Sequence, residues 1–156
     1  MSTSPLTAAL IAEGPAVDRA DRMKLYAFLV GDWEAEALLH RPDGRHKLRC
    51  EIHAGWVLAG RAIQDVWIIP GLFHGTTLRL YDPKLDAWHI HWLDPVMQSY
   101  PRMIGRAVGA DIVQEGQGEE GSLMRWSFRD ITPDAFRWTA EVSVDGGASW
   151  QTQLAI

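Results

Sequence analysis

The chain has 156 residues, enough to bury one core and too few for two sizeable ones. Apolar residues make up 47% and charged residues 22%, which excludes a wholly disordered chain. A net charge of −5 leaves no basic surplus for a phosphate backbone, so nucleic acid is not an expected partner. The single cysteine, Cys50, can form neither an intrachain disulfide nor a cysteine-rich zinc site.

At the start, the apolar run Leu6–Ala12 is short, is broken by Thr7 and follows no Lys or Arg. It does not make a secretory signal, and no segment approaches the roughly 20 apolar residues of a spanning helix. The expectation is a cytoplasmic protein with no membrane partner. Residues 1–15, small and polar with Pro5 and Pro15, are expected as a flexible arm, and residues 16–156 as one domain.

From Ala16 to Val30 the spacing is helical. Val17, Met23, Leu25, Phe28 and Leu29 fall near one stripe, while Asp18, Arg19, Asp21, Arg22 and Lys24 occupy the other face. Asp18 can cap this amphipathic helix and Gly31 can stop it.

After Gly31 the period becomes two, and turn residues recur at strand-length intervals. Trp33–Leu39 runs to the turn Pro42-Asp43-Gly44, and Leu48–Ala54 follows it. Arg61–Ile68 closes at Pro70-Gly71, Thr76–Tyr81 at Asp82-Pro83, and Trp88–Leu93 at Asp94-Pro95. Arg102–Val108, Ile112–Gln114, Leu123–Asp130, Phe136–Val144 and Trp150–Leu154 complete the series. About nine or ten short strands with no second helix predict a mainly β, antiparallel meander, closed into a barrel because closure removes exposed edges.

Alternation sorts most strands into two faces. Trp33, Cys50, Ile52, Leu78, Leu80, Trp88, Ile90, Trp92, Trp126, Phe128 and Trp138 share the apolar, inward face. Arg49, Glu51, His53, Arg79, His89, His91, Arg125, Arg129 and Glu141 share the charged, outward one. Arg61–Ile68 resists the split, because placing Ile63 and Trp67 inside also places Arg61 and Asp65 inside. Both faces of Arg102–Val108 are mixed, so the side taken by Arg102 stays open.

The helix running into Gly31-Asp32-Trp33 resembles the entry of lipocalins and the wider calycin group, where a G-x-W places its tryptophan at the closed end of the barrel. Arg79-Leu80-Tyr81-Asp82-Pro83, Asp86-Ala87-Trp88 and Asp145-Gly146-Gly147-Ala148-Ser149-Trp150 are similar to segments of bacterial lipocalin-like barrels of unassigned function. The resemblance spans about residues 17–154 and implies a small barrel whose cavity suits an apolar ligand. The signal peptide and disulfide pair of secreted lipocalins are missing, as is the glycine-rich opening of haem-binding nitrobindin-like barrels. No haem or other cofactor is therefore expected.

Three constellations have chemical readings. His89-Ile90-His91 sets two imidazoles about 7 Å apart on one strand face. With Glu51 or His53 they suggest a metal site, but they share the outward face, so no metal is expected. Asp65, if internal, needs a partner, and Arg61 is the nearest candidate. The pair reads either as a strand tether or as a polar anchor with an acid/base carboxyl. Gly116–Gly121 lacks the Lys-Ser/Thr of a phosphate loop and reads as a hairpin loop, while Cys50 reads as an inert core thiol.

The functional expectation is binding of a small hydrophobic or aromatic molecule, with Arg61, Asp65, Trp67, Trp88, Trp92, Trp126 and Trp138 as candidate ligand contacts. One alternative is an isomerase, cyclase or lyase on the same barrel using Asp65. Another is a structural homodimer whose tryptophans fill the barrel.

Overall fold

A computed structural model describes residues 2–156. Ten antiparallel strands close on themselves: β2 (Gly31–Arg41), β3 (Gly44–Val57), β4 (Ala62–Ile69), β5 (Phe73–Asp82), β6 (Ala87–Leu93), β7 (Arg102–Val108), β8 (Asp111–Gln117), β9 (Leu123–Arg129), β10 (Arg137–Ser143) and β11 (Gln151–Ala155). Every strand but the last pairs with its successor in sequence, and β11 returns to β2 to complete the ring. This is the closed barrel expected from short strands and compact turns, and it is compatible with a lipocalin-like barrel. The closing seam is its thinnest pairing, only Leu154 with Leu39 and Ala155 with Leu38. Next to it, Trp138 and Ile156 exchange two backbone hydrogen bonds of 2.7 and 2.8 Å.

Residues 5–12, expected within a flexible arm, carry regular structure. Helix α1 (Pro5–Leu10) is capped by the Ser4 hydroxyl, and the two-residue strand β1 (Ile11–Ala12) pairs with Val57 and Trp56 of β3. This short eleventh strand covers an edge that β3 leaves open beyond β2.

The α-helix expected over residues 16–30 is two 3₁₀ segments, Val17–Arg19 and Arg22–Leu29. The residues that bury fully are Met23, Tyr26 and Leu29, spaced by three, and three residues per turn stacks them along one edge. An α-helix would rotate them progressively off that line. The three side chains plug one end of the barrel. Asp18 caps nothing and instead pairs with Arg61, its Oδ1 3.1 Å from Nη2.

The plug is fastened by aromatic contacts. The Trp33 indole N–H donates to the Leu29 carbonyl at 2.8 Å, and its ring meets Phe136 edge-on at 4.8 Å. Tyr26 meets Trp88 at 4.9 Å and donates its hydroxyl to Gln114 Oε1 at 3.0 Å. Gly105 makes room for that hydroxyl, since a Cβ there would collide with it. Trp33 thus packs at the plugged end of the barrel.

One strand is turned over relative to expectation. Alternation by hydrophobicity put Leu78 and Leu80 inside and Arg79 outside. In β5 it is Gly75, Thr77, Arg79 and Tyr81 that face the core, with Leu78 and Leu80 half-buried on the outer side. Register decides this. Tyr81 lies opposite Trp88, Arg79 opposite Ile90 and Ile63, and Thr77 opposite Trp92 and Asp65, all inward positions. Two leucines cannot take the inside without expelling Tyr81 from its place across from Trp88. In β7, Met103 and Gly105 face inward and Arg102 is exposed, which settles the strand whose faces looked mixed.

Candidate functional site

Above the plug, the barrel keeps a cavity of about 320 Å³. Its wall is a chain of indoles: Trp67 to Trp138 at 5.1 Å between ring centres, Trp138 to Trp126 at 5.5 Å, and Trp126 to Trp92 at 6.4 Å. Phe73 extends the chain 5.5 Å beyond Trp92. Strand alternation supplies these rings from β4, β6, β9 and β10, and Gly75 lets the Trp92 ring lie directly on the β5 backbone, where a Cβ would come within 2.5 Å of it. Leu39 and Leu154 bring the β2–β11 seam into the same wall.

The polar side of the cavity is built from β4 and β5. Asp65 and Arg79 are each 1% exposed, and the guanidinium Nη1 donates to Asp65 Oδ2. The other carboxylate oxygen accepts from the Thr77 backbone N–H at 3.1 Å. Below, the guanidinium carbon lies 5.1 Å from the Tyr26 ring centre and 5.6 Å from that of Phe128, a stacked arrangement favourable to a desolvated cation. Burial pushes the Tyr26 hydroxyl well above its ordinary range, so it remains a proton donor to Gln114. Arg79 Nε and Trp67 Nε1 are buried with no hydrogen-bond partner among the described residues. Arg79 and Trp67 both border the cavity.

The rim carries Asp94, whose Oδ1 accepts from the N–H groups of Val96 and Met97 at 2.9 and 3.2 Å. Its backbone forms a reciprocal bridge with Ser99, so the connection from β6 to β7 is a fixed turn bordering the mouth.

The sequence-derived candidates divide cleanly. Asp65, Trp67, Trp92, Trp126 and Trp138 gather at or against this cavity. Trp88 does not border it; it lies in the packed lower core between Tyr26 and Tyr81, at 4.9 and 5.7 Å. Arg61 is exposed and bridges Asp18, so the expected Arg61–Asp65 pair is replaced by Arg79–Asp65. The hydrophobic tally missed Arg79 because it judged β5 alone. The signal lay in the hairpin Tyr81–Trp88, which sets both aromatic residues on one face and carries Arg79 in with Tyr81.

His89 and His91 lie on the outer face, half-buried, opposite Leu80 and Leu78. The His89 ring meets Asp82 at 2.9 Å. Among the described residues no three His, Cys, Asp or Glu side chains gather as a metal-binding group. Cys50 is buried on the inner face, and burial pushes its thiol up to about 11.

Two surface histidines should titrate in opposite directions. Hydrogen bonding to Asp32 raises the His53 pKa, whereas burial first, then Arg102 and His89, lowers that of His91. Ring-proton NMR across neutral pH should place the His53 midpoint above the ordinary histidine value and that of His91 below it. By linkage, the His53 contribution to stability fades as pH rises through its elevated midpoint, and that of His91 fades as pH falls below the unfolded value. Coincident midpoints would contradict both environments.

No family model matches the chain, and no curated protein matches it either. Among the described residues, no helix is long and apolar enough to cross a membrane. The functional reading therefore rests on the barrel interior itself.

Proposed function

We propose that the protein is a lipocalin-like binding barrel that holds a small hydrophobic or aromatic molecule among Trp67, Trp92, Trp126 and Trp138. The observation that carries this reading is the cavity of about 320 Å³ beside a continuous chain of four indoles. Sites for small molecules are concave and mostly apolar, with few polar groups, and their volumes begin at about 300 Å³. A cavity already open in the folded chain also spares a ligand the cost of reorganising its site.

The competing readings draw less support. An acid or base needs a carboxyl group free to move a proton, but Arg79 and the Thr77 amide engage both oxygens of Asp65. A filled, purely structural barrel does not call for the void beside the tryptophans. The cytoplasmic setting expected from the sequence belongs to the same proposal.

The test is titration with N-phenyl-1-naphthylamine, a neutral apolar fluorophore. It should bind one per chain with micromolar affinity, about 8 kcal/mol, brighten, and quench tryptophan emission. Absence of saturable binding at high micromolar concentration would defeat the binding reading.

A further inference from the structure

We propose that the ligand is a neutral, flat, apolar molecule bearing one hydrogen-bond acceptor, a carbonyl oxygen, which takes the indole N–H of Trp67 beside Arg79. This rests on the binding reading above and names the chemical class that the cavity favours.

Two donors prompt it. Trp67 is 4% exposed and Arg79 is 1% exposed, both border the cavity, and the Nε1–H of one and the Nε–H of the other have no partner among the described residues. A buried N–H left unpaired is costly, so a guest that supplies an acceptor gains what a plain hydrocarbon cannot. The carboxylates nearest these two donors already have partners. Asp65 accepts from Arg79 and Thr77, and Asp94 Oδ1 accepts from two backbone N–H groups. The free valences of Trp67 and Arg79 ask for an acceptor.

Charge decides between a carbonyl and a carboxylate. The ionisable side chains bordering the cavity are Arg79 and Asp94, and Asp65 stands immediately behind Arg79. One guanidinium against two carboxylates leaves the region negative before any guest enters. An anionic ligand would add a like charge inside a low-dielectric wall, and the single cation there is already paired. An ammonium would suit the charge balance and the indole faces, but it brings only donors and leaves the buried N–H groups of Trp67 and Arg79 unpaired. A neutral ketone, quinone, aldehyde or lactone on a small ring system satisfies both conditions. The volume of about 320 Å³ restricts the guest to a few rings.

Displacement of N-phenyl-1-naphthylamine by matched naphthalenes at neutral pH tests this without any substitution. 2-Acetylnaphthalene should displace it about tenfold more strongly than the isosteric hydrocarbon 2-isopropenylnaphthalene, the gain expected for one well-placed hydrogen bond to a buried donor. 2-Naphthoate and 2-naphthylmethylamine should both be weaker than the ketone. In Trp67→Phe, which keeps a ring against Trp138 and removes the N–H, the ketone-to-hydrocarbon ratio should collapse towards one. Reading a ratio cancels any general loss of packing. Equal affinities for ketone and hydrocarbon, with the reporter still binding, overturn the acceptor inference and leave the binding reading intact. Tightest binding by the naphthoate or the amine overturns it in favour of a charged ligand. A ketone preference that survives Trp67→Phe overturns the role given to Trp67. Failure of the reporter and all four naphthalenes to bind overturns both readings together.

Discussion

Arg79→Met should lower the free energy of unfolding by about 3–5 kcal/mol, a large part of the 5–15 kcal/mol typical of a domain this size. The loss is electrostatic. Methionine can still fill the space over Tyr26 and Phe128, but Asp65, with no accessible side-chain surface, keeps only the Thr77 amide. Asp65→Asn/Arg79→Met should recover most of the loss, because an uncharged amide in that position needs no counter-ion. Arg61→Met is the matched control. Its bridge to Asp18 is between side chains 46% and 58% accessible, where an ion pair contributes under about 1 kcal/mol. Denaturant titration of these proteins, with Asp65→Asn alone added, supplies the cycle. Equal losses in the two single arginine variants would mean that Arg79 and Asp65 are solvated and the interior pair is not as described.

That contrast also marks where the sequence could and could not be read. Strands, turns and barrel closure were legible because period-two patterning and compact turn chemistry are local properties. The indole wall was legible for the same reason: Trp92, Trp126 and Trp138 alternate with His91, Arg125, Arg137 and Thr139, so their side followed directly. The side of Asp65 stayed open in the sequence, since Arg61–Ile68 resists the split, and the fold takes it inside with Ile63 and Trp67. Its partner was not legible, because Arg79 sits between two leucines and its side depends on cross-strand register with β4 and β6. Local hydrophobicity favoured the leucines, and the tertiary pairing of two charges prevailed.

The plug failed to be read for a different reason. The expected stripe omitted Tyr26, which is fully buried and touches Gln114, Trp88 and Arg79. At about 100° per residue Tyr26 falls midway between Met23 and Leu29, within an arc of about 120°, so the period did not hide it; its hydroxyl kept it out of a stripe chosen for apolar residues. Only a three-residue repeat aligns all three, and such long 3₁₀ segments are uncommon enough that sequence patterning does not anticipate them.

Trp88 and Trp126 should part company when each is replaced by alanine. Trp88 is 2% exposed and wedged between Tyr26 and Tyr81, away from the cavity, so Trp88→Ala should cost about 3–5 kcal/mol of stability. Below the unfolding transition its affinity for N-phenyl-1-naphthylamine should change little. Trp126 is only partly buried and borders the cavity between Trp92 and Trp138. Truncating it removes less protein–protein contact but takes away one wall of the ligand site, so affinity should fall about tenfold or more while the fold persists. The two rings differ in place: Trp88 packs on Tyr26 and Tyr81 at the plugged end, and Trp126 stands beside the tryptophan-lined cavity. A folded Trp88→Ala protein that loses the fluorophore, beside a Trp126→Ala protein that retains it, would move the binding site to the plugged end of the barrel.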